Sequence, residues 1–247
     1  MHRLMLLLTL AFSLTLSGCV ATAPAGKPAA YHYQMGLSHL GERNYTAALQ
    51  ELLEAERLDA NNPELQYSLG QAFLGKRRPD LAEPKFLRAI SLRPNYSVAR
   101  NDLGVTYLEL KRWDSAIQQF KLVKDDLLYE QSNNAAINLG LAYLGKGDYP
   151  AALQELQVVR SHNPRNPIVR VAIGRVLAAQ EQMPLAIAEY RRALELYPDF
   201  AMGHYYLGLA LMKNDLLAAR KAFREVVRLA PEAEIGRSAQ EYLELLK

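Results

Sequence analysis

Two segments carry a spacing that could do phosphate chemistry. Residues Gly70 to Lys76 and Gly140 to Lys146 both read GxxxxGK. A phosphate loop of that form follows a strand, wraps the phosphates in backbone N–H groups, and needs Ser or Thr after the lysine to reach a metal ion. Here Arg77 and Gly147 follow instead, and the surrounding pattern is helical, so nucleotide binding is not expected. His32, His39 and His204 are the histidines placed where ligand chemistry could be asked of them. None stands four residues from another His or from Cys, the helical spacing that would put two ligands on one metal. They read as packing or groove residues, and no metal is expected. No Ser–His–Asp set, HExxH motif or isolated carboxylate pair rises above the acidic background of solvated helix faces. The chain is expected to be no enzyme and to carry no cofactor.

The glycines of those segments belong to a larger pattern. Gly36, Gly70, Gly104, Gly140, Gly174 and Gly208 follow one another at intervals of 34, 34, 36, 34 and 34 residues. The stretch from Pro63 to Tyr96 shows one unit: a helix around Leu69 and Gly70, a turn near Lys76 to Pro79, and a second helix carrying Ala82, Phe86, Ala89 and Leu92 before Pro94. Small residues recur in the second helices at Ala48, Ala82, Ala116, Ala152, Ala186 and Ala219, and large ones four later at Leu52, Phe86, Phe120, Leu156, Tyr190 and Phe223. A glycine inside a helix costs roughly 1 kcal/mol against alanine. Six are retained only if close helix contact repays that loss. Pro94, Pro164, Pro198 and Pro231 end second helices by removing a backbone donor.

This pattern resembles the tetratricopeptide repeat (TPR) family over residues 29–247. The resemblance implies an all-α, right-handed solenoid of six helix-turn-helix units. Their expected bounds are 29–62, 63–96, 97–130, 133–166, 167–200 and 201–233. The two extra residues before Gly140 enter a junction at Asp125 to Ser132, and Gly147 is a helix C-cap candidate. Pro84, inside the second helix of its unit, is expected at a first turn or a slight kink. Residues 234–247 are expected to form an amphipathic helix, with Ile235, Ala239, Tyr242, Leu243 and Leu246 near one face, that caps the stack.

The first 28 residues differ in kind. Arg3 precedes an apolar run from Leu4 to Leu16, which has signal-peptide length and is too short to span a bilayer. Leu16-Ser17-Gly18-Cys19 follows, and Cys19 is the only cysteine, so it has no disulfide partner. The four residues resemble a bacterial lipobox. That resemblance implies cleavage after residue 18, lipidation of Cys19, a tether over residues 19–28, and stable anchoring by several acyl chains. Val20 after the cysteine implies the periplasmic face of the outer membrane, by sorting rules of well-studied Gram-negative cells. The formal charge of +3 is too small to argue for nucleic acid. Arg191, Arg192, Arg220, Lys221, Arg224 and Arg228 make the later second helices basic, which reads as a solvated outer face, with a membrane-facing patch as the other reading.

In arrays of this family the first helix of each unit lines the concave side. Its groove-facing positions lie three before, one after and four after the glycine. They are Tyr33, Leu37 and Leu40; Tyr67, Gln71 and Leu74; Asn101, Val105 and Leu108; Ile137, Leu141 and Leu144; Val171, Arg175 and Ala178; Tyr205, Leu209 and Met212. Most are apolar, and an uncovered apolar run of this size marks a binding surface. TPRs that grip chaperone tails hold a carboxylate with Lys and Asn at such sites; only Asn101 and Arg175 are of that kind here. The expected guest is therefore a hydrophobic or amphipathic segment of a protein partner, helical and laid in the groove. Lipobox, tether, six repeats and cap together resemble the pilotin lipoproteins of type IV pili (the PilF/PilW family). That resemblance implies a secretin subunit as partner, and a role in its outer-membrane targeting and assembly. The same parts also fit a lipoprotein of the outer-membrane barrel-assembly machinery, or an adaptor delivering proteases to cell-wall enzymes.

Overall fold

The computed structural model describes residues 27–126, 129 and 132–246. The leader, the lipobox with Cys19, residues 19–26 of the tether, Leu128 of the long junction and Lys247 lie outside the described residues. Thirteen helices and no strand occur among the described residues. They are α1 (Ala29–Gly41), α2 (Tyr45–Leu58), α3 (Pro63–Gly75), α4 (Pro79–Leu92), α5 (Ser97–Glu109), α6 (Trp113–Lys124), α7 (Ser132–Lys146), α8 (Tyr149–His162), α9 (Pro167–Ala179), α10 (Met183–Leu196), α11 (Ala201–Leu211), α12 (Leu216–Leu229) and α13 (Glu234–Leu245).

Local chemistry sets where these helices start and stop. Asn44, Asn62, Asp148 and Asp215 accept from the backbone N–H three residues on, satisfying a donor that a helix start leaves free. Pro63, Pro79 and Pro167 open their helices, where the missing N–H costs nothing. The turn within each of the first five units holds one residue in the left-handed region. Gly147 takes that place at φ 84°, and Arg43, Arg77, Lys111 and Glu181 adopt the same sign of φ at the matching place. Pro84 lies in the second turn of α4, beyond the first turn expected for it, and its exposed ring is carried on an unbroken helix.

Packing explains the glycine interval. In every unit the large side chain four residues after the small alanine lies on the glycine of its partner helix. A Cβ placed on Gly70 would sit 2.5 Å from the Phe86 ring, and on Gly174 2.4 Å from the Tyr190 ring. Leu52, Phe120, Leu156 and Phe223 press equally on Gly36, Gly104, Gly140 and Gly208. The facing partner of each glycine is thus the large residue, with Ala48, Ala82, Ala116, Ala152, Ala186 and Ala219 fully buried one turn away. The second glycine of each GxxxxGK segment does the same between units: Tyr45 rests on Gly75 and Trp113 on Gly145.

Adjacent helices pack in chain order, and consecutive odd-numbered helices also touch, whereas no even-numbered pair does. The odd helices therefore lie on the tighter, concave side. Curvature carries the last helix back toward the early repeats. Arg77, in the α3–α4 turn, forms an ion pair with Glu234 at the start of α13, at 2.7 Å. Glu189, 6% exposed, draws together Arg170, Arg192 and Arg160 at 3.1, 3.2 and 3.8 Å across α8, α9 and α10.

Gly70→Ala should lower stability by up to about 2 kcal/mol, an overpacking cost of about 1–3 offset by about 1 of helix propensity. In a Phe86→Ala background the same change should instead raise stability. Urea midpoints of the four proteins check the reversal of sign.

Candidate concave binding surface

The concave face is two depressions joined by a half-buried apolar strip. The N-terminal depression, about 370 Å³, is lined by Leu40, Gly41, Arg43, Tyr45, Gln71, Leu74, Gly75 and Asp102. Its floor is a hydrogen-bond chain. Gln71 Nε2 donates to the Tyr67 hydroxyl at 2.7 Å, Tyr67 donates to Asp102 Oδ2 at 2.9 Å, and Asn101 Nδ2 donates to Asp102 Oδ1 at 3.2 Å. Burial pushes the Asp102 carboxyl above the usual aspartate range, and the donors from Tyr67, Asn101 and Gln71 oppose that shift. Burial, with the Asp102 charge next, likewise raises the Tyr67 hydroxyl. Asp102 has no cation in ion-pair contact among the described residues, and Asn101 Oδ1 is buried without a donor. Tyr67 and Tyr96 stack obliquely beside this chain, 5.4 Å between ring centroids.

The C-terminal depression, about 280 Å³, is lined by Leu144, Arg175, Ala178, Ala179, Met183, Tyr190, Tyr206, Leu209 and Ala210. Arg175 lies over the Tyr206 ring, 5.0 Å from its centroid, a cation–π contact. No carboxylate lines this depression. Between the two, Val105, Leu108 and Leu141 are half-buried.

The expected groove residues divide accordingly. Leu40, Gln71 and Leu74 meet in one depression, and Leu144, Arg175, Ala178 and Leu209 in the other; Tyr67 and Asn101 support the first from below. Tyr33 is half-buried against the first unit's core, and Leu37 is half-buried on α1. Ile137 and Val171 are corrections: at 3% and 1% exposure they are core residues. The first helices of the fourth and fifth units approach their neighbours closely enough to bury the position three before the glycine. Tyr205 and Met212 belong largely to the cap, since both pack on its apolar cluster, and the Tyr205 ring lies 6.1 Å from Phe223 and 6.2 Å from Tyr242. The most exposed apolar side chains lie elsewhere, Leu217 at 80% at the start of α12 and Leu245 at 77% at the end of α13 among them.

Asp102, Ala179, Met183 and Tyr206 escaped the sequence reading. Asp102 and Tyr206 share one position, two before the glycine, where Gln34, Ser68, Asn138 and Ala172 stand in other units. A carboxylate at a position that otherwise varies among small, polar and aromatic residues was the available signal. The histidines are held within the fold: His32 contacts Glu51 at 2.7 Å and His204 Nε2 contacts the Pro198 carbonyl at 2.7 Å. On the basic outer helices, Arg192 and Arg228 are paired with Glu189 and with Glu225 and Asp199. No helix among the described residues is long and apolar enough to cross a membrane.

A tetratricopeptide repeat model matches residues 33–97, 137–199 and 171–234, and a second matches residues 85–118. The chain belongs to the tetratricopeptide repeat family. No curated protein matches it. Solved structures of similar fold include PilF of Pseudomonas aeruginosa, at 20% identity and TM-score 0.63, covering 87% of this chain and 97% of that one. PilW, described as a widely conserved type IV pilus biogenesis factor, aligns at 17% identity and TM-score 0.67 over 86% and 98%. A repeat protein of Parabacteroides merdae aligns at 14% identity and TM-score 0.79 over 88% and 84%. At these identities the likeness shows the fold.

The raised Asp102 carboxyl gives a pH prediction with a definite sign. The folded state holds the proton more tightly than the unfolded chain, so stability falls as pH rises from the ordinary value of 3.8 through the raised folded one. The loss is complete above that. Asp102→Asn should therefore gain stability over the parent at neutral pH, and the gain should shrink as pH falls through the raised folded value toward the ordinary 3.8. Paired urea titrations across that range check it.

Proposed function

We propose that this chain is a lipid-anchored binding scaffold that assists outer-membrane targeting and assembly of a type IV pilus secretin. The observation that carries the client-binding part is the C-terminal depression, where Leu144, Ala178, Ala179, Met183 and Leu209 line a concave apolar surface. Core packing does not use that surface up, and burying it against a partner is the favourable step left open to the stack. The alignment with PilF and PilW over nearly the whole of each of those chains supports the pilus reading, and the lipobox at Cys19 supports the anchor.

The mechanism is co-localisation. A receptor tethered by acyl chains to the periplasmic face of the outer membrane raises the local concentration of a subunit that exposes membrane-seeking surface. The concave face holds one segment of that subunit, shielding it until assembly. Proteins of the barrel-assembly machinery, or proteases and cell-wall enzymes, are the partners that would redirect this reading.

Cys19→Ala should move the protein from the membrane fraction to the soluble one and abolish palmitate incorporation; retained labelling refutes the anchor. Ala179→Trp should fill the C-terminal depression while leaving the circular dichroism helical. Crosslinking in the native cell with mass spectrometry should then recover secretin peptides from the parent and at least tenfold fewer from the variant. Barrel-assembly or cell-wall proteins in their place, or an unchanged yield, would overturn the assignment.

A further inference from the structure

Both ends of the concave face carry a charge that the fold leaves unanswered. In the N-terminal depression Asp102 accepts from Tyr67 and Asn101, has no cation in contact among the described residues, and sits beside the donorless Asn101 Oδ1. Arg43 also lines this depression, but it is exposed and forms no ion pair with Asp102, so water screens it more than the half-buried carboxylate. In the C-terminal depression Arg175 has an aromatic ring beneath it and no carboxylate beside it. Many partly buried charges elsewhere are paired: Lys85 with Glu56, Arg112 with Glu83, Lys124 with Glu155, and Glu189 with three arginines. Asp102 and Arg175, which form no ion pair among the described residues, are of opposite sign and face one groove.

We propose that the concave face is electrically polar along its length. It selects and orients an amphipathic helical segment of a partner protein, one with Lys or Arg near one end of its apolar face and Asp or Glu about three turns away. The spacing follows from the fold. Asp102 lies on α5 and Arg175 on α9, two first-helix spacings apart at about 8–10 Å each, and about 16–20 Å corresponds to about 11–13 helical residues at 1.5 Å per residue. Leu108, Leu141 and Leu144 lie between, where the segment's apolar face would rest. The guest's ammonium or guanidinium would pair with Asp102, which lines the depression; its carboxylate would take the free edge of the Arg175 guanidinium. Charge-assisted hydrogen bonds of this kind are the stronger ones, and opposite charges at the two ends fix direction as well as affinity.

This rests on the concave face being the client site, and the test separates the two ideas. Three synthetic helical peptides share one Leu/Ala face. One has Lys near its N-terminus and Glu about three turns on, the second has these exchanged, and the third has Gln at both places. Each carries a photocrosslinker at its N-terminus and is titrated against the full chain. Both charged peptides should bind about tenfold tighter than the Gln peptide. The first should crosslink to α3 and α5, the second to α9 and α11. In the Asp102→Asn/Arg175→Gln double variant, checked for an unchanged helical spectrum, the two should lose that difference. Charged peptides that bind no tighter than the Gln peptide, or one crosslinking site for both charged peptides, overturn the polarity. If Ala179→Trp still blocks all three in that case, the client-site reading stands. No binding by any peptide overturns the polarity as well, and secretin recovery from cells judges the client site separately.

Discussion

One contact underlies this structure: a large side chain laid flat on a glycine Cα in the helix opposite. It recurs in all six units, from Leu52 on Gly36 to Phe223 on Gly208. The hydrogen in place of a Cβ lets the two helices of a unit close on a leucine, phenylalanine or tyrosine that is then wholly dry. A mid-helix glycine is locally unfavourable, and burial of the opposing side chain, on the order of 1.5–3 kcal/mol each, outweighs it. Gly75 under Tyr45 and Gly145 under Trp113 apply the same device between units. What reads as a phosphate loop is two helix contacts five residues apart.

Shape and binding surface follow from where those contacts lie. First helices touch along the inside and second helices splay outside, so the stack curls until Arg77 meets Glu234, 157 positions later. A curled stack has an inner surface that its own core cannot fill. There the side chains are half-buried, apolar at the C-terminal end, and crossed at the N-terminal end by the Gln71–Tyr67–Asp102 chain. Asp102 and Arg175, half-buried and without an ion pair among the described residues, lie on that surface. Elsewhere ion pairs such as Lys124–Glu155 and Arg112–Glu83 stitch neighbouring units.

The spine of the fold was legible because it is periodic. A glycine every 34 residues, an alanine and a large residue at fixed offsets, and Gly147 as a cap each report a local requirement that one repeat suffices to state. The concave surface was legible only in part, because exposure there depends on how closely one unit approaches the next. Tyr67 and Ile137 occupy equivalent positions, yet Tyr67 is half-buried and hydrogen-bonded while Ile137 is core. The spacing of first helices decides that, and no single repeat encodes it. Tyr205 was lost to the groove for a related reason: the cap supplies Tyr242 as its neighbour. Asp102 stood out by its place two before the glycine, but only its surroundings show a half-buried carboxylate that takes donors from Tyr67 and Asn101. The Arg77–Glu234 pair joins residues whose relation is visible only once the stack has curled.

Curvature connects the glycine contacts to the hollow, so it is the quantity to measure. Nitroxide labels at Lys76→Cys and Arg237→Cys, in a Cys19→Ser background, report by pulsed electron–electron resonance the gap between the α3–α4 turn and the start of the cap. One short, narrow distance distribution is expected in the otherwise unaltered chain, shifting longer and broadening when Gly104→Ala and Gly140→Ala are introduced together. A long or broad distribution in the unaltered chain, or one indifferent to those two substitutions, would contradict the claim that bare glycine contacts set the curve.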